Sequence, residues 1–217
     1  GNRFIAEYVE KQGGQAIIVP TVVDTNIFSP IKKNNEIPIL GWIGTHSTFP
    51  LLQSIFPVLE ELTLKYKFVL KVVGSGEKNV EIKGVTVENL PWKMERETED
   101  FQSLDIGLYP ITTSDSAVNE WILGKSGFKA IQYMAVGTPF VVTPIGVCAE
   151  MGEENITHLT ATSKREWYTA LEKLLADKNL RERLGMTARQ HSLETYTVKK
   201  QVEILAKTFR KVSKIDL

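Results

Sequence analysis

Lys125 and Lys129 stand four residues apart at the opening of a glycine-rich segment, Gly124-Lys125-Ser126-Gly127, that runs into Phe128-Lys129-Ala130-Ile131-Gln132. A helix that starts there leaves its first backbone N–H groups without intrahelical partners, its macrodipole adds partial positive charge, and two ammonium groups add full charges. Such a helix start holds an anion, and a diphosphate fits it. Lys125 is the first choice for a direct charge on the phosphates, and Lys129 reads as a supporting or surface charge. His46, just after Gly44-Thr45, could donate to a phosphate or a sugar hydroxyl, although a lone loop histidine is more often only a polar surface residue. Cys148 has no histidine near it in sequence to activate it and reads as a buried spectator thiol. His158 and His191 lack acidic or cysteine partners at metal-ligand spacing, so no metal site is expected. Gly74-Ser75-Gly76 tempts a dinucleotide reading, but Asn79 stands where the third glycine would fall and no helix signal follows. Trp92 could stack on a base; the core is the stronger expectation for it.

The elements that would position these residues alternate. Phe128, Ile131, Met134 and Ala135 form one apolar stripe of a helix that Gly137 stops, and Phe140-Val141-Val142 is a short strand of the kind buried on both faces. Earlier in the chain, a helix over residues 3–12 precedes an expected strand Ala16 to Val19. Residues 38–44 form a strand followed by a helix from about Phe49 to Tyr66, which Pro57 should kink. Strands are expected at Lys67 to Val73, Gly84 to Val87 and onward to a turn at Asn89 to Trp92, and Asp105 to Pro110, with a Glu-rich helix over 94–103. Val147 to Met151 reads as a single helical turn and His158 to Ala161 as an edge strand. Ser163 with Glu166 makes a capping box, Asp177 caps the next helix, and the last helix, Val198 to Val212, carries an apolar stripe that reads as a docking face. About six short apolar strands alternating with helices give a Rossmann-like, three-layer α/β/α domain with a mainly parallel sheet, in which ligands sit beyond the carboxyl ends of the strands.

Composition sets outer limits. The 217 residues, 42% of them hydrophobic, suffice for one large core, and the single-domain reading covers 1–217. Lys plus Arg and Asp plus Glu are 26 each, so the chain carries no sign of a nucleic-acid binder. One cysteine excludes an internal disulfide and fits a reducing compartment, which makes the cytoplasm the expected location. No apolar run approaches the ~20 residues that cross a bilayer. Because the chain opens inside a helical unit, it reads as the rear part of something longer.

Gly124-Lys125-x-Gly127-Phe128-Lys129-Ala130-x-Gln132-Tyr133-Met134-Ala135-x-Gly137-x-Pro139, followed by Val141-Val142, resembles the donor-nucleotide segment in the C-terminal half of family 4 glycosyltransferases, which have the two-lobed GT-B fold. Gly1-Asn2 with Phe4-Ile5-Ala6, the run Ile18 to Asp24, Gly41 to Gly44 and the tail Leu175 to Tyr196 fall in the order such domains have. The resemblance implies a retaining transferase that moves the sugar of a nucleotide-sugar onto an acceptor sugar or lipid-linked sugar held by a preceding lobe, in polysaccharide biosynthesis, without a divalent ion or other cofactor. It admits peripheral membrane association of the longer protein and places the last helix, about 198–213, across the cleft. By the strand-end rule, Gly44, Thr45, His46, Gly124, Lys125, Ser126 and Gly127 would hold the diphosphate, and Gly74, Ser75, Asn89 and Leu90 would lie near the base. The family's two glutamates, seven residues between them, match Gly124 and Gln132, so Gln132 would take the ribose. The family's Arg and Lys after the first strand of this lobe have no counterpart in Thr45 to Pro50, and Lys125 would supply that charge as the diphosphate stabiliser. No side chain is assigned to bond making.

Two other readings stand beside it. A nucleotide-sugar 2-epimerase of the same shape would need an acid and a base at the sugar, with Glu120 and Glu150 the nearest candidates. A non-catalytic nucleotide-binding or partner-docking module would fold without acting on a sugar.

Overall fold

The computed structural model describes residues 1–111 and 120–213. Six strands, β1 (Ile39–Ile43), β2 (Val69–Val73), β3 (Thr86–Leu90), β4 (Ile106–Tyr109), β5 (Phe140–Val142) and β6 (Leu159–Thr160), pair in parallel in the order β3-β2-β1-β4-β5-β6. The order reverses between β1 and β4, where the two chain directions of winding leave a crevice beyond the strand ends. β1 and β4 share only two register pairs, Leu40 with Ile106 and Gly41 with Gly107.

Side-chain alternation along the strands divides the core into two layers. Leu40, Trp42, Leu70 and Val72 pack with Leu52, Leu59 and Leu62 from α2 (Phe49–Gln53) and α3 (Phe56–Leu62), and with Trp167, Leu171 and Leu174 from α7 (Lys164–Ala176). Ile43, Val73, Phe140 and Val142 pack on the other face with Phe101 from α4 (Glu97–Gln102) and with Ile131, Tyr133 and Met134 from α6 (Phe128–Ala135). Between these lie α5 (Glu120–Leu123) and, at the termini, α1 (Arg3–Lys11), α8 (Lys178–Thr195) and α9 (Val198–Ser213). The Ser163–Glu166 capping box opens α7, and the Asp177 side chain accepts from Leu180 N–H to open α8. Among the described residues no helix is long and apolar enough to cross a membrane.

Tyr133 fixes α6 to the middle of this sheet. Its ring lies where a side chain on Gly107 would be, and its hydroxyl is 3.1 Å from the Gly41 carbonyl and 3.2 Å from that of Leu108. Gly137 ends the helix region in the left-handed conformation, φ +66°.

Some expectations change. Residues 16–19 form no strand, because no ladder partner lies beside them; Ile17 and Ile18 face outward. The helix expected over 49–66 is two helices, broken at Ser54-Ile55. Pro57 sits in the first turn of α3, where its missing N–H costs nothing, and its ring cannot pack over the carbonyl of Gln53, so α2 ends at that residue. The turn after β5 is a 3-10 turn, Gly146–Ala149. Along α9, Val198, Val202, Phe209 and Val212 are exposed.

Candidate functional site

A crevice of about 650 Å³ opens where β1 and β4 diverge, lined by the ends of β1, β2 and β4, the loop after β3, and the first turns of α4 and α6. Its backbone wall comes from the loops after β1 and β2, which brace each other in sequence across the sheet: Gly44 N–H donates to Val73 O at 2.9 Å and Gly74 N–H to Leu90 O at 2.9 Å.

The opposite wall is α6. Gly127 precedes it with φ +66°, and a Cβ there would lie 2.6 Å from Met151 and 2.7 Å from Val147, so only glycine lets the chain turn into the helix at this depth. Ala130 and Ile131 N–H both use Gly127 O, which leaves the N–H groups of Phe128 and Lys129 as the helix-start donors without intrahelical partners. Lys125, Ser126, Phe128, Lys129 and Gln132 all face the crevice. The Lys125 ammonium rides 3.7 Å from the Trp121 ring centroid, and burial lowers its pKa. Lys129 Nζ sits 5.6 Å from the ring centroid of Tyr109, which borders the crevice, and 5.9 Å from that of the buried Trp42, and burial, reinforced by the Lys125 charge, brings its pKa down to about 8.

Gln132 lies one turn beyond Phe128 and Lys129. It is 2% exposed, borders the crevice, and its Nε2 has no hydrogen-bond partner among the described residues. A buried amide N–H2 left unpaired costs about 1–3 kcal/mol, a penalty that an acceptor on a bound ligand would relieve.

The remaining side is Pro91, Trp92, Glu97 and Phe101. Trp92 Nε1 donates to Glu97 Oε1 at 3.4 Å. A buried charge cluster holds α4 against β2: the Asp100 carboxylate, fully buried, takes Lys71 at 3.0 Å and Arg96 Nε at 3.0 Å.

Of the residues singled out from sequence, Gly44, Thr45, His46, Gly74, Lys125, Ser126 and Gln132 line this one crevice. Gly124 and Gly127 lie outside the lining and shape the loop that presents Lys125 and Ser126. Ser75 and Asn89 bond each other at 2.9 Å, with Asn89 Nδ2 also donating to Glu77 O, so they brace the loop after β2 instead of lining the crevice; Leu90 is half-buried against the core. Trp92, expected in the core, is 47% exposed at the crevice rim, because β3 is the sheet edge and leaves nothing beyond its end to cover an indole. Phe128, expected in the buried stripe, is the first residue of α6 and borders the crevice, 38% exposed. Glu120 and Glu150 are exposed and do not line the crevice.

Lys129 was underweighted and Glu97 and Phe101 were missed. The four-residue spacing from Lys125 was a usable signal for the first. Nothing local marks Glu97 among the neighbouring acids. Cys148 is buried, and burial pushes its thiol up to about 12.

A doubly wound parallel sheet with a cationic, glycine-opened helix start facing the switch-point crevice is a Rossmann-like α/β fold, and it matches the lobes of GT-B glycosyltransferases. The chain belongs to the family described as Glycosyl transferases group 1, which matches residues 38–177. Among solved structures, a glycosyltransferase from Rickettsia africae is 11% identical with a TM-score of 0.80, covering 99% of this chain and 63% of its own. Anabaena HepE in complex with UDP-glucose is 13% identical with a TM-score of 0.70, covering 93% of this chain and 60% of that one. The C-terminal domain of a group 1 glycosyl transferase (LpcC) from Francisella tularensis is 14% identical with a TM-score of 0.59, covering 81% of this chain and 99% of that domain. The chain thus spans about three fifths of the Rickettsia and Anabaena structures. No curated protein matches it.

Proposed function

We propose that this chain is the donor-binding, C-terminal lobe of a retaining family 4 glycosyltransferase and that its crevice takes a nucleoside-diphosphate sugar. The observation that carries the reading is the α6 wall, where Lys125, Lys129, the free helix-start N–H groups and the unpaired Gln132 amide face the same space. The diphosphate lies against the lysines and the N–H groups of Phe128 and Lys129, the ribose hydroxyls against Gln132, and the base toward Trp92.

Glycosyl transfer breaks the bond between the anomeric carbon and the diphosphate oxygen, which keeps the electron pair, while an acceptor oxygen bonds to that carbon and gives up its proton, which the departing diphosphate can take. Negative charge therefore grows on the departing diphosphate. Donors fixed in place before the reaction stabilise that charge without reorganising, and a crevice that excludes water strengthens them. The acceptor and its sugar belong to a preceding lobe, a reading supported by the coverage of a separately solved C-terminal domain. HepE, a protein of the same fold, was solved with UDP-glucose, which supports a uridine or similar nucleotide donor here.

The test is calorimetry and thermal unfolding with UDP, GDP and ADP. At least one should raise stability by about 2.7 kcal/mol at a hundredfold excess over its Kd. Gln132→Leu should erase a preference for the ribonucleotide over its 2′-deoxy form, a loss of about 0.5–1.5 kcal/mol for one hydrogen bond. No stabilisation by any of the three at millimolar concentration would overturn the reading.

A further inference from the structure

We infer that Asn2 is a positioning residue for the diphosphate loop, holding Lys125 and Ser126 at the crevice through their backbone; this rests on the donor-site reading above. Asn2 caps α1: its Oδ1 accepts from Ile5 N–H at 3.0 Å. A cap needs no more than that, and caps are commonly exposed. Yet Asn2 is 3% exposed, whereas no residue within α1 is fully buried. What buries it is the second half of its carboxamide. Nδ2 donates to Leu123 O at 2.7 Å and to Lys125 O at 3.1 Å, more than 120 residues away in the chain.

Those two carbonyls bracket Gly124. Leu123 ends α5, so its carbonyl has no partner further along that helix, and Lys125 O belongs to the residue whose ammonium faces the crevice. The plane that carries Leu123 O is also held by Gly124 N–H, which donates to Glu120 O at 2.9 Å, and Lys125 N–H donates to Ile122 O at 3.2 Å; the plane that carries Lys125 O, on the way to Gly127, is held by Asn2, and its rotation would swing Ser126 away from the helix start. One NH2 group donating to both carbonyls fixes the two planes relative to each other. Asn2 thus ties the start of α1 to the segment presenting the charge.

The experiment separates capping from clamping. Asn2→Ser and Asn2→Asp both keep an acceptor for Ile5 N–H, serine and aspartate being good helix caps, but an aspartate carboxylate has no donor and a serine has a single O–H on a shorter stem, so neither can donate to both carbonyls. The chain and both variants are titrated with UDP, GDP and ADP, and with the monophosphate of whichever binds tightest. In both variants the diphosphate-to-monophosphate affinity ratio should fall about tenfold, with cooperative unfolding retained. A ratio equal to that of the unsubstituted chain would reduce Asn2 to a helix cap and overturn the inference. An equal loss for both ligands would make it a general stabiliser, with the same consequence. If the unsubstituted chain binds none of the three diphosphates, the donor-site reading fails and takes this inference with it.

Discussion

Lys129 offers the sharpest test of the charge arrangement at the crevice. Its ammonium is held over aromatic rings with its pKa lowered to about 8, so at pH 7 about nine tenths of it is charged. A bound diphosphate favours the charged form and raises that pKa. The sign follows: binding is at full strength below pH 8 and weakens as pH rises, because above 8 the ligand must first draw a proton onto Lys129. If the bound pKa returns to the ordinary lysine value near 10.4, affinity at pH 9.5 should be about twentyfold below that at pH 7.5, with close to one proton taken up per ligand in the alkaline range. Calorimetry in buffers of different ionisation enthalpy reads that proton directly. Lys129→Met should lose about 1.5–3 kcal/mol of diphosphate binding at pH 7.5. Lys129→Arg should keep most of the affinity and flatten the profile, since a guanidinium stays charged throughout. A wild-type slope persisting in the arginine variant would assign the titration elsewhere and refute the reasoning.

Two further outcomes concern the scaffold. Gly185→Ala on α8 should destabilise the fold by about 1–3 kcal/mol, as overpacking does, since its Cβ would come 2.2 Å from the Gly137 carbonyl across the α6–α8 contact; an unchanged urea midpoint would mean the helices separate freely. His158, stacked on Phe140, has its pKa lowered by burial to about 4, against the attraction of Glu154 and with some help from His191. Its neutral form is the folded one, so its contribution is complete above pH 6.5 and falls away between 6.5 and 4, by ~3 kcal/mol in all. Thermal melts of His158→Phe should depend less on pH across that window than those of the parent chain, and equal slopes would exclude His158.

Periodicity and punctuation made most of the sheet legible. Short apolar runs ending at Gly44, Gly74 and Pro110 located β1, β2 and β4, and Ser163 and Asp177 marked their helix starts because capping is a local interaction. Ala16 to Val19 misled for the converse reason: an apolar run becomes a strand only where a partner edge is available. The crevice was half legible. Strand-end position brought Thr45, His46, Lys125 and Gln132 to one place, but whether a strand-end residue points into the crevice or braces the loop behind it depends on backbone rotation, so Ser75 and Asn89 looked like Gly74. Trp92 and Phe128 were read as core because apolar character does not tell burial under a neighbour from exposure beside the crevice. Asn2 and Leu123 have no sequence relation that could have joined them.

Tyr133 bears on how the crevice responds to load. The halves β3-β2-β1 and β4-β5-β6 meet through only two register pairs, and they separate toward the crevice, so this seam is where the sheet would hinge or shear if anything pulled on it. One phenol reaches a carbonyl on each side of the seam, Gly41 in β1 and Leu108 in β4. It therefore works as a cross-tie, and because it is anchored in α6 it also fixes how far that helix stands from the loops opposite. A ligand meets a gap of set width, and amide hydrogens flanking the seam in β1 and β4 should be among the slowest in the chain to exchange. Removing the hydroxyl alone would leave the core filled and the gap free to breathe.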